Sequence, residues 1–129
     1  MPELPRPSDF ELAILRVLWR MGEGTVRQVH GALQPERQLG YTTVLKTMQI
    51  MVDKGLLLRD ERAKSHVYRP AEAPQDTRRS MVRDLVDKAF EGSAFQLLAH
   101  ALHVKQPSAS ELDEIQALLD QARLERRNR

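Results

Sequence analysis

The segment GYTTVLKTMQ, residues 40–49, sets two adjacent threonines, a lysine and a third threonine among apolar residues. Apolar residues recur in and after it at positions i, i+1, i+4, i+7 and i+8, namely Val44, Leu45, Met48, Met51 and Val52. This spacing predicts a helix from about Tyr41 to Lys54 with one side in the core. No acidic residue occurs from Tyr41 to Val52, so the other side favours an anionic partner.

Two further helices are predicted before this segment. In PSDFELAILRVLWRMG, residues 7–22, Ser8 and Glu11 have the spacing of a capping box, and Gly22 is a stop signal. In GTVRQVHGAL, residues 24–33, Thr25 is the expected cap of a short second helix.

Two short strands are predicted after it. They are LLLRDE, residues 56–61, and HVYRP, residues 66–70, with the basic turn RAKS, residues 62–65, between them. Alternation along the second strand places Tyr68 in the core rather than in the turn's outer surface. The order helix, helix, helix, strand, strand is that of a winged helix-turn-helix.

The remainder of the chain is predicted to be helical after a linker at about residues 71–77. Gly92 and Ser93 indicate a stop followed by a cap, and Ser108 and Glu111 form another capping box. The predicted fold class is mainly α with a small β-hairpin. A winged-helix domain is expected at 1–72 and an α-helical dimerisation domain at 73–129.

The C-terminal helices predict a homodimer. A unit of about 55 residues buries little surface by itself, and a second copy would cover its apolar stripes. The predicted interface residues are Leu85, Ala89, Phe90, Phe95, Leu98, Leu102, Leu112, Ile115 and Leu119. The alternative is that these helices fold back on the N-terminal unit.

Composition narrows the function classes. The 129 residues are 41% hydrophobic and 29% charged and include no cysteine, which excludes disulfides and thiolate metal sites. No apolar run approaches the roughly 18–20 residues that cross a membrane, and no signal-peptide pattern is present, so a cytoplasmic protein without direct membrane association is expected. No phosphate loop or nucleophile elbow occurs. His100 and His103 lack a third ligand, so no metal site is predicted. Because none of these catalytic or cofactor-binding patterns is present, a non-enzymatic protein without a cofactor is predicted.

The chemistry of the third helix suits double-stranded DNA. Threonine hydroxyls and methyls can meet base edges, lysine can reach guanine or a phosphate, and a tyrosine hydroxyl can hold a phosphate. The residues 41–70 carry six basic and three acidic side chains. The predicted DNA-binding residues are Arg27, Tyr41, Thr42, Thr43, Lys46, Thr47, Arg62, Lys64 and Arg69. The alternative for the threonines is an ordinary helix start, and for the turn a solvated loop.

The motifs ELAILRVLW, GTVRQVHGAL, YTTVLKTM, KGLL and VYRP occur in this order over residues 8–70, and FEGSAFQLL and ELDEIQALLD extend the pattern to about residue 120. In these motifs the chain resembles the penicillinase repressor family of the BlaI/MecI type. The resemblance implies a cytoplasmic bacterial repressor that binds palindromic operators as a dimer. It places the start of the recognition helix on residues 41–44 and the wing on residues 62–65.

The resemblance also implies a route of induction, with departures. In several members a membrane sensor-protease system leads to cleavage within the dimerisation helices; the corresponding region is near His100 and Ala101, without the Asn-Phe pair of some members. Many members carry arginine where this chain has Ile50, and the cysteine motif of the copper-responsive branch is absent.

Two other functions stay open from the sequence. A small-molecule-responsive winged-helix regulator would enclose an effector among the C-terminal helices, and a ligand would then raise the melting temperature. A protein-interaction module that uses the winged helix without DNA would fail to bind even random DNA at low salt.

Overall fold

The structure is a computed structural model that describes residues 6–34 and 38–129. Its elements follow the order α1 (Asp9–Met21), α2 (Val26–Leu33), α3 (Tyr41–Asp53), β1 (Leu57–Asp60), β2 (Val67–Pro70), α4 (Pro74–Ala89), α5 (Ala94–Val104) and α6 (Ala109–Arg127). The predicted order of helices and strands over the first seventy residues is confirmed. Most helices and strands begin and end within one residue of the predicted positions.

Local capping explains where the helices begin. The Ser8 hydroxyl accepts from the Glu11 amide at 3.3 Å while the Glu11 carboxylate accepts from the Ser8 amide at 2.8 Å. Ser108 and Glu111 repeat this box at the start of α6. Gly22 ends α1 at φ 88°, a left-handed conformation that a residue with a side chain rarely adopts.

The first compact unit, Met1–Arg83, contains the core. α1, α2, α3 and the hairpin enclose a cluster of buried side chains whose fully buried members are Ile14, Leu15, Leu18, Val29, Val44, Met48, Met51, Leu57 and Tyr68. The hairpin is antiparallel, with Leu57 opposite Pro70 and Asp60 opposite Val67. Tyr68 lies in the core, as alternation along β2 predicts.

A short backbone bridge joins the hairpin to the segment before α2. The Gly24 amide donates to the Tyr68 carbonyl at 2.9 Å, and the Tyr68 amide donates to the Gly24 carbonyl at 2.8 Å. Gly24 lies against the Met21 side chain so closely that an added Cβ would stand 2.8 Å from its terminal methyl. The bridge therefore fixes the hairpin to the start of α2, at a place where a side chain would have to displace the end of Met21.

The predicted linker at residues 71–77 is wrong in its second half. α4 begins at Pro74, because proline suits the first turn of a helix, where its missing N–H is not needed. Asp76 follows in the first turn, and Thr77 is buried in the first unit.

The second compact unit is Asp84–Arg129, so the division falls inside α4. The Phe90 and His100 rings lie 5.4 Å apart between centroids, and Ser93 caps α5 by accepting from the Gln96 amide at 3.1 Å. The boundary between functional domains at residues 72 and 73 stays a prediction.

Candidate nucleic-acid interface

α3 has two sides of opposite character. Its buried residues are Val44, Met48 and Met51, and Leu45 and Val52 pack against the core at its edge. The residues of α3 that stand exposed include Thr42, Thr43, Lys46, Gln49 and Ile50. Lys46 forms no ion pair with any residue that the structure describes. From Thr42 to Ile50 the exposed side thus combines hydroxyls, an amide and one unpaired ammonium group, and its one carboxylate, Asp53, stands at the C-terminal end of the helix.

Thr47 is placed differently from the other threonines. It is half-buried, and its hydroxyl donates to the Thr43 carbonyl one turn earlier at 2.8 Å. This back-bonding is common for threonine inside helices and occupies the hydroxyl proton. What Thr47 offers outward is mainly its methyl group and the acceptor capacity of its oxygen.

The first turn of α3 has no side-chain cap. Gly40 occupies the cap position, and no side chain accepts from the first amides of the helix. These amides carry the positive end of the helix dipole, and no acidic residue occurs in the first turn. The start of α3 is therefore electropositive and open to an acceptor.

A contact that the sequence did not predict holds the segment just before α3. The Leu39 carbonyl accepts from the side-chain Nε2 of Gln34 at 3.2 Å and lies 2.6 Å from His30 Nε2, which donates to it in the tautomer that carries the proton there. The His30 ring also meets the exposed Tyr41 ring edge-on, 6.0 Å between centroids. His30 had no evident partner in the sequence because Leu39 is nine residues away and contributes only backbone.

The hairpin turn is less positive than its sequence suggests. Asp60 accepts from Arg62 Nε at 3.0 Å and Nη2 at 2.8 Å, and from the Arg62 backbone amide at 2.9 Å. The Arg62 side-chain and backbone hydrogen bonds lower the pKa of Asp60 from 3.8 to about 2, so the carboxylate stays charged beside the guanidinium. The Arg62 side chain is nonetheless 92% exposed, and Asp60 compensates part of its positive charge.

The other hairpin cations divide in the same way. Arg59 pairs with Glu61 at 2.8 Å. A side-chain hydrogen bond with Tyr68 raises the pKa of the Arg59 guanidinium, and the negative charge of Glu61 raises it further. Lys64 and Arg69 are exposed and make no ion pair within the described residues. Of the three hairpin residues predicted to contact DNA, Arg62 is paired directly with Asp60, Arg69 acts on the same carboxylate at longer range, and Lys64 is the least compensated cation.

Arg27 is exposed at the second position of α2, immediately after the capped start. Thr25 accepts from the Gln28 amide at 3.2 Å and Gln28 reaches back to the Thr25 amide at 2.9 Å. Thr25 is therefore occupied as a cap, as predicted. Arg27 has no ion-pair partner in the described ranges and adds a cation beside this helix start.

The far end of α3 is tied to the beginning of α1. Lys54 Nζ donates to Glu11 Oε1 at 2.7 Å, on the same oxygen that accepts from the Ser8 amide. Burial alone would raise the pKa of Glu11, but the hydrogen bonds from Lys54 and Ser8 outweigh it and lower this pKa below 4.5. The pair fixes α3 against α1 across 43 positions of sequence.

None of the predicted interface residues of the second unit is buried within the single chain. Neither α5 nor α6 has a buried residue. Phe95 is 79% exposed, and Leu85, Leu98, Leu112 and Leu119 are also exposed. Ala89 is exposed, whereas Phe90, Leu102 and Ile115 are half-buried. The single chain therefore leaves large apolar side chains of the predicted interface exposed to solvent.

Within the described residues, no helix is long and apolar enough to span a bilayer. No group of three or more histidine, aspartate or glutamate side chains is arranged there to hold a metal ion.

Known proteins match the chain over most of its length. The profile of the penicillinase repressor family covers residues 7–121. The transcriptional regulator BlaI of Mycobacterium tuberculosis is 37% identical over 123 residues, which are 92% of this chain and 86% of that protein. The penicillinase repressor of Bacillus licheniformis is 22% identical over 121 residues, 94% of each chain.

A solved structure shares the fold of the first unit. The solution structure of the DNA-binding domain of the repressor BlaI superposes with a TM-score of 0.51 at 24% identity, over 59% of this chain and 93% of that one. The predicted fold class and the predicted family are confirmed, and the family is one of regulators rather than enzymes. By the extent of these matches, the chain belongs to the penicillinase repressor family of transcriptional regulators.

Proposed function

We propose that this protein represses transcription in the bacterial cytoplasm by binding a palindromic operator in double-stranded DNA as a homodimer. The observation that carries the proposal is the exposed side of α3, where Thr42, Thr43 and Lys46 project from a helix whose other side is locked in the core. A carboxylate on that side would be repelled by the phosphates that flank the major groove. None is present from Tyr41 to Val52, and the carboxylate of Asp53 stands at the far end of α3, away from its N-terminal residues.

The proposed contacts fall into two kinds. Thr42, Thr43, Lys46 and the methyl of Thr47 face base edges, because a recognition helix reads bases with its N-terminal residues. Backbone contacts come from the uncapped start of α3, the Tyr41 hydroxyl, Arg27 on α2, and the hairpin cations Arg62, Lys64 and Arg69. Phosphate contacts set the register and give affinity that falls with salt, by about 0.9 in the log–log slope for each contact.

The homodimer in this proposal uses the exposed apolar helices of the second unit. A two-fold dimer presents two copies of α3 to successive turns of the major groove, roughly 10 base pairs apart or a multiple of that. A palindromic operator has the same symmetry. Induction then acts by loss of the dimer, and cleavage by a sensor-protease system near the exposed His100 and Ala101 would separate the DNA-binding unit from the helices that pair it.

Lys46→Ala tests the base-reading role. With the promoter DNA beside the protein's own gene, the substitution should weaken binding by about 1–3 kcal/mol if Lys46 reads a base and should leave binding to random DNA nearly unchanged. Fluorescence anisotropy at several salt concentrations measures both. Lys105→Ala, an exposed lysine of the second unit, is the matched control.

The outcomes separate the possible roles of Lys46. Equal weakening on operator and random DNA assigns it to a phosphate. Unchanged affinity for both removes it from the interface, and wild-type protein that binds neither DNA at low salt refutes the proposed function.

A further inference from the structure

The first unit contains a cavity on the side of α1. It has a volume of about 510 Å³ and is bounded by α1, the C-terminal end of α2 and the first turns of α4. Ala13, Val17 and Leu33 form its apolar part, and three arginines complete the wall. Pockets that take small organic molecules commonly have volumes of this order, about 300–1,000 Å³.

The three arginines of this cavity are uncompensated. Arg16, Arg20 and Arg78 form no ion pair with any residue in 6–34 or 38–129, and no carboxylate lines the cavity. The hairpin arginines Arg59 and Arg62 behave differently, since each has a carboxylate within 2.8 Å. All three arginines are exposed, so their guanidinium groups are available for charge-assisted hydrogen bonds to a bound anion.

The fourth polar side chain of the wall is Trp19. Its Nε1 is buried and has no hydrogen-bond partner among the described residues. The Arg78 guanidinium lies over its ring, 5.2 Å from the centroid, within the range of a cation–π contact. Every polar side chain of the cavity is thus a donor, and none can accept. Nε1 has almost no accessible surface, so an occupant of the cavity would meet the three guanidinium groups rather than the indole N–H.

We propose that this cavity binds a small organic anion with two or more carboxylate or phosphate groups and a short apolar portion. The acidic groups pair with Arg16, Arg20 and Arg78, and the apolar portion covers Val17 and Leu33. The site is separate from the proposed DNA interface. It takes in the last residues of α2, whereas Arg27 lies in the first turn, about 8 Å earlier along the helix at 1.5 Å per residue.

Trp19 is the only tryptophan of the chain, so its fluorescence reports on this site alone. The full-length protein is titrated with citrate and, separately, with pyrophosphate, while sodium chloride keeps the ionic strength constant. We expect a saturable fluorescence change with a Kd below about 1 mM for at least one probe. Calorimetry, which does not depend on the indole, should give the same Kd, and the melting temperature should rise with probe concentration.

Substitutions locate the site. Arg16→Gln and Arg78→Gln should each weaken anion binding by about tenfold or more, because each removes a charge-assisted pair. Arg123→Gln and Arg126→Gln on α6 are matched controls that keep the same net charge as the test variants and should bind like the wild type. Circular dichroism confirms that all four variants fold.

Several results would overturn the proposal. They are the absence of saturable binding of either probe up to about 10 mM, or equal weakening in the α6 controls. If Arg16→Gln lowers DNA affinity while anion binding persists, the arginines belong to the DNA backbone contact instead. If Arg78→Gln changes only the oligomeric mass, the cavity holds an acidic segment of a second copy.

Discussion

Adjacent leucines on α6 allow a sharp test of the dimer. Leu119 lies on the predicted interface and is 44% exposed in the single chain, whereas Leu118 lies off it and is 70% exposed. If exposure alone decided the effect, Leu118→Ala would be the more damaging change. If the dimer interface decides it, Leu119→Ala weakens the dimer and Leu118→Ala does not.

The magnitude follows from the area that Leu119 still shows to solvent. Full burial of a leucine side chain is worth about 1.5–3 kcal/mol, so covering the exposed 44% contributes about 0.7–1.3 kcal/mol per protomer. A two-fold dimer contains the residue twice, which gives about 1.3–2.6 kcal/mol in total. Leu119→Ala should therefore raise the dimer Kd by about 10- to 80-fold.

Sedimentation equilibrium of the full-length chain at several concentrations measures this Kd. Circular dichroism of both variants checks that α6 still forms, since alanine favours helix. The reasoning is refuted if Leu118→Ala weakens the dimer as much as Leu119→Ala. It is refuted as well if the wild-type chain stays monomeric at a concentration of about 100 μM.

Three further predictions concern the first unit. Glu11→Gln should lower the free energy of unfolding by about 1–2 kcal/mol at pH 7; because the folded pKa of Glu11 lies below 4.5, this difference is complete above that pH and shrinks as pH falls through the folded value. Urea unfolding of the wild type and the variant at pH 7 and pH 3 measures this difference in free energy. An equal difference at both pH values would contradict a stabilising role for the ionised Glu11 carboxylate. Asp60→Asn frees Arg62 and should steepen the log–log salt dependence of DNA binding by up to about 0.9; equal slopes in anisotropy titrations would mean that Arg62 makes no phosphate contact. Ile50→Arg, at a side chain that is 50% exposed, should tighten binding to random DNA and steepen the slope similarly, and an unchanged slope would place this part of α3 away from phosphates.

The fold of the first unit could be predicted from the sequence because its signals are local and agree with one another. Capping boxes, glycine stops and apolar spacing each depend on residues within about four positions. The helix that begins at Pro74 was missed for a related reason. Proline, alanine and charged residues resemble a linker in composition, although proline at the first turn also begins helices.

The contacts that the sequence could not predict join residues far apart along the chain or use backbone atoms. The Glu11–Lys54 pair spans 43 positions. From the local sequence alone, Glu11 is explained as part of a capping box and Lys54 as the end of a helix, so neither suggests the pair. His30 contacts a backbone carbonyl, and a backbone contact cannot be predicted from the type of the partner residue. Asp60 and Arg62 are only two positions apart, but whether they pair depends on the hairpin geometry. The exposure of the α5 and α6 faces agrees with the predicted interface, and the dimer itself stays a prediction.

The Gly24–Tyr68 bridge has a consequence for genetics. Two backbone hydrogen bonds join β2 to the residue before the α2 cap and hold the hairpin against the helix-turn-helix in the free protein. If both elements contact DNA as proposed, less ordering entropy is lost on the hairpin when the complex forms. A small side chain at position 24 would displace only the flexible end of Met21, which is 40% exposed, and would leave the bridge in place. Proline at this position would instead remove the N–H that donates to the Tyr68 carbonyl. Loss-of-repression alleles at position 24 should therefore be proline rather than alanine, and they would report on the alignment of the hairpin with α2 rather than on a contact with the nucleic acid.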